Sequence, residues 1–179
     1  FIDRAFHIYQ LEEENRLLQQ FTPGMSNIIG NSPAMQKVCR MVERIAATDI
    51  TTLLLGESGT GKEILAKAIH QQSPRKQHPF IAINCASIPD NLLESELFGF
   101  ERGAFTGAHK QTKGKIECAN GGTLFLDEIG NIPKQLQAKL LTVLEQRQVT
   151  PIGSNKAVDI DVRVIAATNI SRHALSDEQ

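Results

Sequence analysis

The stretch "TTLLLGESGTGKE", residues 51–63, decides the fold of this chain. Its first half is a short apolar run of the kind found in buried strands. Its second half matches the G-x-x-x-x-G-K pattern through Gly56, Gly61 and Lys62, and an apolar helical pattern follows at once. We therefore predict a strand, a glycine-rich loop and a helix in direct succession.

Such a loop suits phosphate groups, because glycines let backbone N–H groups turn inward and the following helix adds its N-terminal dipole. Lys62 would reach the terminal phosphates. A Ser or Thr usually follows this lysine and contacts magnesium, but Glu63 stands there, so Thr60 is the candidate hydroxyl ligand. The candidate phosphate-binding residues are Gly56, Glu57, Ser58, Gly59, Thr60, Gly61, Lys62 and Glu63.

Three further apolar runs predict the rest of a sheet: "FIAIN", "TLFLD" and "VRVIAATN". Helical patterns separate them, which indicates an α/β fold with a buried parallel sheet covered on both faces. Residues 148–162 read as a hairpin that turns at Gly153, Ser154 and Asn155. Before the sheet, Ser32 and Pro33 predict a helix start. Its apolar face is expected to comprise Met35, Val38, Val42 and Ile45.

Two adjacent carboxylates, Asp127 and Glu128, end the run "GGTLFLDE". The carboxyl ends of parallel strands line the ligand crevice of such a sheet, so both acids should point toward the glycine-rich loop. Asp127 would hold magnesium directly or through water, and Glu128 would polarise a water for attack on a phosphate. Alone, the pair is equally compatible with a solvated turn. Asn169 could orient that water or sense the γ-phosphate, or be a turn residue.

The N-terminal residues 1–27 are predicted to form a linker helix and hinge ahead of a core at 28–179. Ile8, Leu11, Asn15 and Leu18 follow a heptad spacing, and an Asn at such a position favours a parallel helical pair. The alternative is a linker helix that packs on its own domain. Pro23 and Gly24 mark the hinge.

Composition excludes several classes of protein. The net charge of −1, without a basic stripe, argues against duplex binding, so any DNA contact would belong to a domain outside this chain. No apolar run has the length of a membrane span and no signal pattern is present, which predicts a cytoplasmic location. Cys39, Cys85 and Cys118 are expected to be reduced core thiols. Phe1 and the closing "ALSDEQ" suggest a piece of a longer protein.

The stretch "GFERGAFTGAHKQ", residues 99–111, predicts a tight protruding loop, because Gly103 and Gly107 allow backbone angles that other residues avoid. Phe105 would stand at its apex. The alternative is an ordinary surface turn whose Phe105 folds back onto the core.

Together, "GESGTGKE", "ESELFGFERGAFTGA", "GGTLFLDEI" and "VRVIAATN" resemble the ATPase domain of bacterial sigma-54-dependent transcription activators, within the AAA+ superfamily. That family also carries Glu after the loop lysine. The resemblance implies a P-loop NTPase core, ATP hydrolysis with Mg²⁺, and remodelling of the closed complex of sigma-54 and RNA polymerase holoenzyme. Nucleotide-dependent protein binding without turnover, or another AAA+ activity, is the alternative.

The resemblance also implies roles for individual residues. Asn84 would hold Glu128 in an inactive pose, or it only caps its strand. Ile28 and Ile29 would contact the adenine, or they pack in the core. The loop that contacts sigma-54 would comprise Gly103, Ala104, Phe105, Thr106, Gly107 and Ala108.

The family pattern further implies a ring, from a dimer up to a hexamer or heptamer, and a regulatory domain of the response-regulator type used in two-component systems. Its last strand, helical lid and arginine finger would lie beyond residue 179, which predicts negligible turnover for this stretch alone.

Overall fold

The computed structural model describes residues 32–169. The predicted linker helix, the hinge, the heptad pairing through Asn15 and the adenine contacts of Ile28 and Ile29 lie outside those residues, and they remain predictions.

Four parallel strands form the central sheet in the order β1-β8-β5-β2. They are the four predicted runs. In chain order the elements are α1 (Pro33–Ala46), β1 (Thr52–Leu55), α2 (Lys62–Gln71), β2 (Phe80–Asn84), α3 (Asp90–Phe98), β3 (Gly99–Phe100), β4 (Thr112–Lys113), α4 (Lys115–Cys118), β5 (Thr123–Asp127), a 3₁₀ turn (Ile129–Asn131), α5 (Lys134–Gln146), β6 (Gln148–Val149), β7 (Val158–Asp159) and β8 (Arg163–Thr168). The predicted α/β class with a parallel sheet is confirmed, as is the antiparallel β6–β7 hairpin.

Each face of the sheet has its own apolar core, as expected of a parallel sheet covered by helices. On one face, α1 and α2 pack over Phe125, Ile165 and Ala167. On the other face, helices α3, α4 and α5 bury Leu124, Leu126 and Val164 with their own apolar residues. These two layers hold the strands rigidly, so the loops at their carboxyl ends have fixed starting points.

Helix α1 begins as predicted, with the Ser32 side chain accepting a hydrogen bond from the Met35 N–H at 3.2 Å and Pro33 in the first turn. The predicted apolar face is only partly right. Val42 and Ala46 are buried, whereas Val38 is 37% exposed. The helix meets the sheet through a face rotated toward Cys39 and Ala46, because contact with α2 and β8 rather than periodicity sets its orientation.

Arg163 ties the C-terminus of α1 to strand β8. Its side chain is 2% exposed, and its guanidinium donates to the carbonyl oxygens of Ile45 and Ala46 at 2.8 and 3.3 Å. Helix C-termini leave carbonyl groups without intrahelical partners, and a buried cation there satisfies them. Desolvation lowers the pKa of this guanidinium.

The prediction for the cysteines holds for only one of three. All three are free thiols, but Cys39 is half-buried and Cys118 is exposed, so only Cys85 is a core residue. Separately, no helix within residues 32–169 combines the length and apolarity that crossing a membrane requires.

Candidate active site

The predicted catalytic residues and the glycine-rich loop lie in one row along the carboxyl edge of the sheet. The glycine-rich loop follows β1, Asn169 follows β8, Asp127 ends β5 and Asn84 ends β2. The strand order places the turn after β8 between the loop and the two acids. The sheet thus brings together residues that are more than 100 positions apart, at the edge where ligands of such folds bind.

The loop from Gly56 to Gly61 has the form of an anion cradle. Gly59 and Gly61 adopt left-handed backbone angles, with φ of 79° and 86°. Within the described residues, the N–H groups of Gly59, Gly61 and Lys62 donate to no backbone carbonyl and no side chain. A Cβ built on Gly59 would meet nothing within 4 Å. Unpartnered N–H groups at a helix start fit the phosphates of a nucleotide.

Lys62 closes this cradle from inside the fold. It is 7% exposed, and its Nζ donates to the carbonyl oxygens of Gly56 at 2.9 Å and Glu57 at 3.0 Å. The same Nζ lies 3.9 Å from Glu128 Oε1. The lysine therefore links the loop to the end of β5.

Asp127 and Glu128 differ in their local geometry. Glu128 adopts φ 52° and ψ 49°, an uncommon region for a residue with a Cβ. Its backbone N–H donates to Asp127 Oδ1 at 3.0 Å, and its carbonyl accepts from the Asn131 N–H at 3.0 Å. These two bonds hold the left-handed turn and direct the Glu128 side chain toward Lys62.

A neutral thiol lies beside Asp127. The Cys85 N–H donates to the Asp127 carbonyl at 3.0 Å, and burial raises the pKa of the Cys85 thiol to about 11, with a contribution from the Asp127 charge. No second anion from this side therefore competes with the carboxylate at neutral pH.

Thr60, the candidate magnesium ligand, and Glu63, which occupies the usual Ser/Thr position, lie in different places. Thr60 stays within the loop, where its hydroxyl donates to the Glu57 carbonyl at 2.8 Å and keeps its oxygen lone pairs. Glu63 points along α2, where its carboxylate pairs with Lys67 at 2.7 Å. The Glu63 side chain therefore does not line the cradle, although its backbone belongs to the first turn of the helix.

These residues can bind magnesium only together with ligands that the protein does not supply, such as water and nucleotide phosphate. Within residues 32–169, no three His, Cys, Asp or Glu side chains converge as a metal cluster. Asp127 and the Thr60 hydroxyl are the available oxygen ligands, and magnesium commonly completes its shell with water and substrate phosphate. These residues are therefore compatible with a metal that arrives with a nucleotide.

Asn84 is not bonded to Glu128, contrary to the expected inactive pose. Its Oδ1 accepts from the Ala86 N–H at 3.0 Å, which closes a turn after β2, and Glu128 faces Lys62 instead. Asn84 is paired in register with Asp127, so it lies one position before the glutamate. In this state Asn84 caps its own strand. Asn169 is exposed just beyond β8, where it was expected.

The 99–113 segment forms the predicted loop, closed at its base by the short β3–β4 ladder. Gly103 and Gly107 have φ of 83° and 103°, and the Gly103 N–H donates to the Ala108 carbonyl at 2.9 Å. Phe105 is 44% exposed, and its ring centroid lies 4.9 Å from that of Phe100. The aromatic side chain is thus neither free nor folded into the core, but braced on a neighbouring ring.

Of the six predicted partner contacts, one is buried and one is half-buried. Ala108 is 5% exposed because the turn directs it inward, and Ala104 is half-buried against the β6–β7 hairpin. A Cβ built on Gly153 in that hairpin would lie 2.8 Å from Ala104 Cβ. Phe105 and Thr106 remain the exposed side chains of the tip.

Sequence reasoning missed two relationships at this site. The ion pair of Lys62 with Glu128 joins residues far apart in the chain, and no local pattern announces it. The close approach of Gly153 to Ala104 was also missed, because the pattern of residues 148–162 indicated only a turn at Gly153. The isolated bridge between Phe100 and Ile152 makes the same link through the backbone.

Comparison with known proteins agrees with this geometry. The family described as the Sigma-54 interaction domain matches residues 28–179. The chain is 53% identical over 163 residues to the Nif-specific regulatory protein of Herbaspirillum seropedicae, covering 89% of the chain and 30% of that protein. It is 47% identical over 180 residues to the regulatory protein AtoC of Escherichia coli, covering 99% of the chain and 39% of that protein.

Solved structures show the same fold. NtrX from Brucella abortus, in a crystal structure with ATP, superposes with a TM-score of 0.77 at 34% identity, over 97% of this chain and 39% of NtrX. The chain spans about a third of the length of the relatives it matches. It has the P-loop NTPase fold, and it belongs to the Sigma-54 interaction domain family of sigma-54-dependent transcription activators.

Proposed function

We propose that this chain is an ATP-hydrolysing AAA+ domain that remodels the closed complex of sigma-54 RNA polymerase. The observation that carries the proposal is the convergence of a cradle of unpartnered N–H groups with a buried lysine and the Asp127–Glu128 pair at one sheet edge. A protein that only bound nucleotide would have no use for the second carboxylate. Similarity to NtrX, which was crystallised with ATP and with ADP, supports adenine nucleotide as the ligand.

In this proposal, the phosphates of ATP take the place of the internal partners of Lys62. The N–H groups of Gly59, Gly61 and Lys62 donate to phosphate oxygens, and the lysine exchanges the carbonyls of Gly56 and Glu57 for the terminal phosphate. Magnesium, held by Asp127 and Thr60, would supply charge neutralisation at the phosphates. The Lys62–Glu128 contact then opens, which frees the carboxylate for chemistry.

Glu128 acts next as the general base. Its carboxylate accepts a proton from a water molecule whose oxygen attacks the γ-phosphorus, and the bond from that phosphorus to the bridging oxygen of ADP breaks. The products are ADP and inorganic phosphate. Asn169, which emerges from β8 between the loop and β5, is suited to orient the water or to sense the γ-phosphate. Adenine contacts from Ile28 and Ile29 belong to the same proposal.

The Gly103–Ala108 loop would transmit the effect of ATP hydrolysis to sigma-54. Phe105 and Thr106 present an apolar and a hydroxyl group at its tip, where a partner surface would cover them. Within residues 32–169, the cation near Glu128 is Lys62. Assembly into a ring would add an arginine from a neighbouring copy, directed at the γ-phosphate. Any DNA contact is assigned to a separate domain.

The test of the partner contact is Phe105→Ala in the complete activator. Nucleotide binding should persist, and open-complex formation at a sigma-54 promoter should be lost. Phe100→Leu is the matched control, because it alters the packing beneath Phe105 without removing the tip. Open-complex formation by Phe105→Ala at the wild-type rate would remove this residue from the sigma-54 contact.

A further inference from the structure

A groove lies along helix α1 where this helix faces the segment that leads into β1. Its volume is about 530 Å³. Apolar side chains form one wall: Met41, Ile45 and Ile50. Met41 and Ile50 are 61% and 57% exposed, values that are high for apolar side chains of this size. No residue that lines the groove belongs to the nucleotide site or to the Gly103–Ala108 loop, so the groove is independent of the proposed function.

The other wall of the groove is basic and consists of Lys37, Arg40 and Arg44. At about 100° per residue, these three positions lie within about 60° of one another around α1, all on the same side of Met41. From Lys37 to Arg44 they extend over about 10 Å of the helix axis. Helix α1 therefore presents a single stripe of positive charge beside an apolar stripe.

The three cations of this basic stripe have no acidic partner. Within residues 32–169, none of them forms an ion pair or donates a side-chain hydrogen bond, whereas Arg75 pairs with both Asp49 and Asp161. Arg40 and Arg44 are also four residues apart on one helix, a spacing at which like charges destabilise the helix. A bound negative charge would relieve this repulsion, so the stripe is complementary to an acidic ligand.

A second copy of α1 does not supply this acidic ligand. Pairing of two α1 helices would either bring the basic stripes together or leave both without acidic partners. The other helices between residues 32 and 169 each have at most one acidic side chain that is free of an ion pair. Their remaining acids are already paired with lysines: Glu63, Glu94, Glu96 and Glu117.

We propose that the groove of α1 binds an amphipathic helix of another protein, with acidic residues along one margin of its apolar stripe. Acids at positions i, i+3 or i+4, and i+7 of that helix lie on one line of the same length as the basic stripe, so each can meet one cation. The apolar residues of the partner helix cover Met41 and Ile50. A small anion fits less well, because it would neutralise one cation and leave the apolar wall in water.

Fluorescence anisotropy with synthetic peptides tests the proposal on the whole 179-residue chain. The probe is a labelled helical peptide of about 15 residues, with leucines on one stripe and glutamates along one margin of that stripe. An isomer of the same composition carries its glutamates on the face opposite the leucines. The first peptide should bind in a saturable way, and the isomer should bind about tenfold more weakly or not at all.

Charge reversal in the groove should abolish this preference. Arg40→Glu/Arg44→Glu should weaken binding of the first peptide by about tenfold or more, because two attractive contacts become repulsive. Lys134→Glu/Lys156→Glu is the matched control, since it changes the net charge equally at two exposed lysines elsewhere and should bind as the wild type does.

Urea midpoints of the variants check that the fold is intact. If α1 does not tolerate the reversals, Arg40→Ala/Arg44→Ala keeps a good helix former at both positions and should weaken binding by about threefold.

Methyl signals of ¹³C-methyl-labelled methionine locate the bound peptide. The chain has three methionines, and Met41→Leu assigns the Met41 signal, which should shift on titration with the first peptide. Equal binding of the two peptides, an equal loss in the matched control, or binding without a shift of the Met41 signal would show general electrostatic attraction and overturn the proposal. No binding at all would also overturn it, because the groove would then be closed by another part of the chain or by a second copy.

Discussion

Lys62 Nζ lies 3.9 Å from Glu128 Oε1, and the two side chains are only 8% and 13% exposed. The lysine follows β1 and the glutamate follows β5, two strands away in the sheet. In the proposed reaction both groups act on the γ-phosphate end of the nucleotide. Lys62 donates its hydrogen bonds to the Gly56 and Glu57 carbonyls, and the longer approach to Glu128 adds an electrostatic attraction. In the proposed function, nucleotide binding would draw Lys62 away and release the base.

The two carboxylates should give different defects when each is replaced. Glu128→Gln should keep MgATP binding and lower turnover of the assembled activator by about a hundredfold or more, because the amide does not accept the proton. Asp127→Ala should weaken magnesium-dependent binding, and it also removes the acceptor of the Glu128 N–H. Calorimetry and phosphate release measure the two effects. Wild-type turnover in Glu128→Gln would exclude Glu128 as the base.

A side chain at Gly153 should displace the Gly103–Ala108 loop. The Cβ of Gly153→Ala would come within 2.8 Å of Ala104 Cβ, and the left-handed φ of 78° adds strain of about 1 to 2 kcal/mol. Faster amide hydrogen exchange is expected at residues 103–108, with nucleotide binding unchanged. Asn155→Ala, in the same hairpin connection, is the control. Identical exchange in all three proteins would show that the hairpin does not brace the loop.

Acid should destabilise the fold through His70. This buried imidazole packs on Phe80 and its Nδ1 lies 2.9 Å from Thr123 Oγ1. Burial lowers its pKa below 6.5, with a smaller contribution from the nearby Arg163 charge. The unfolded chain therefore binds more protons just below pH 6.5, and the free energy of unfolding should fall with pH from 6.5 down to the lowered value.

Urea denaturation at pH 7.5 and at stepwise lower pH measures this dependence. His70→Gln, which does not titrate, should flatten the pH profile between those limits, whereas His109→Gln at an exposed position should leave most of it. A profile that is unchanged by His70→Gln would assign the acid sensitivity to other groups.

Arg163 should contribute strongly to stability although it lies outside the site. Arg163→Met leaves the Ala46 carbonyl without its donor, whereas the Ile45 carbonyl keeps the Thr48 N–H and hydroxyl, so the change should cost roughly 1 to 3 kcal/mol. Arg147→Met, where the side chain is 75% exposed, should change the free energy of unfolding by less than about 0.5 kcal/mol. Equal midpoints in denaturant for the two variants would contradict the capping role.

The sequence predicted the sheet well because four short apolar runs, each ended by polar or glycine-rich residues, specify buried parallel strands with little ambiguity. It also placed Gly56–Lys62 and Asp127–Glu128 at one edge, since parallel strands share their carboxyl end. It left open, or placed wrongly, side chains that had a choice of partners. Asn84 bonds to its own turn rather than to Glu128, and Val38 is exposed because tertiary contacts rotate α1.

The central claim is that the loop after β1 binds MgATP through Lys62, and calorimetric titration of MgATP into the wild-type chain and Lys62→Ala tests it most directly. The account predicts saturable binding of one nucleotide to the wild-type chain, and binding weakened by about tenfold or more in Lys62→Ala, since a charged hydrogen bond to phosphate is lost. Lys67→Ala, which removes a surface partner of Glu63, should bind as the wild type does. Equal affinity of the wild-type and Lys62→Ala chains, or no binding by either, would contradict the account.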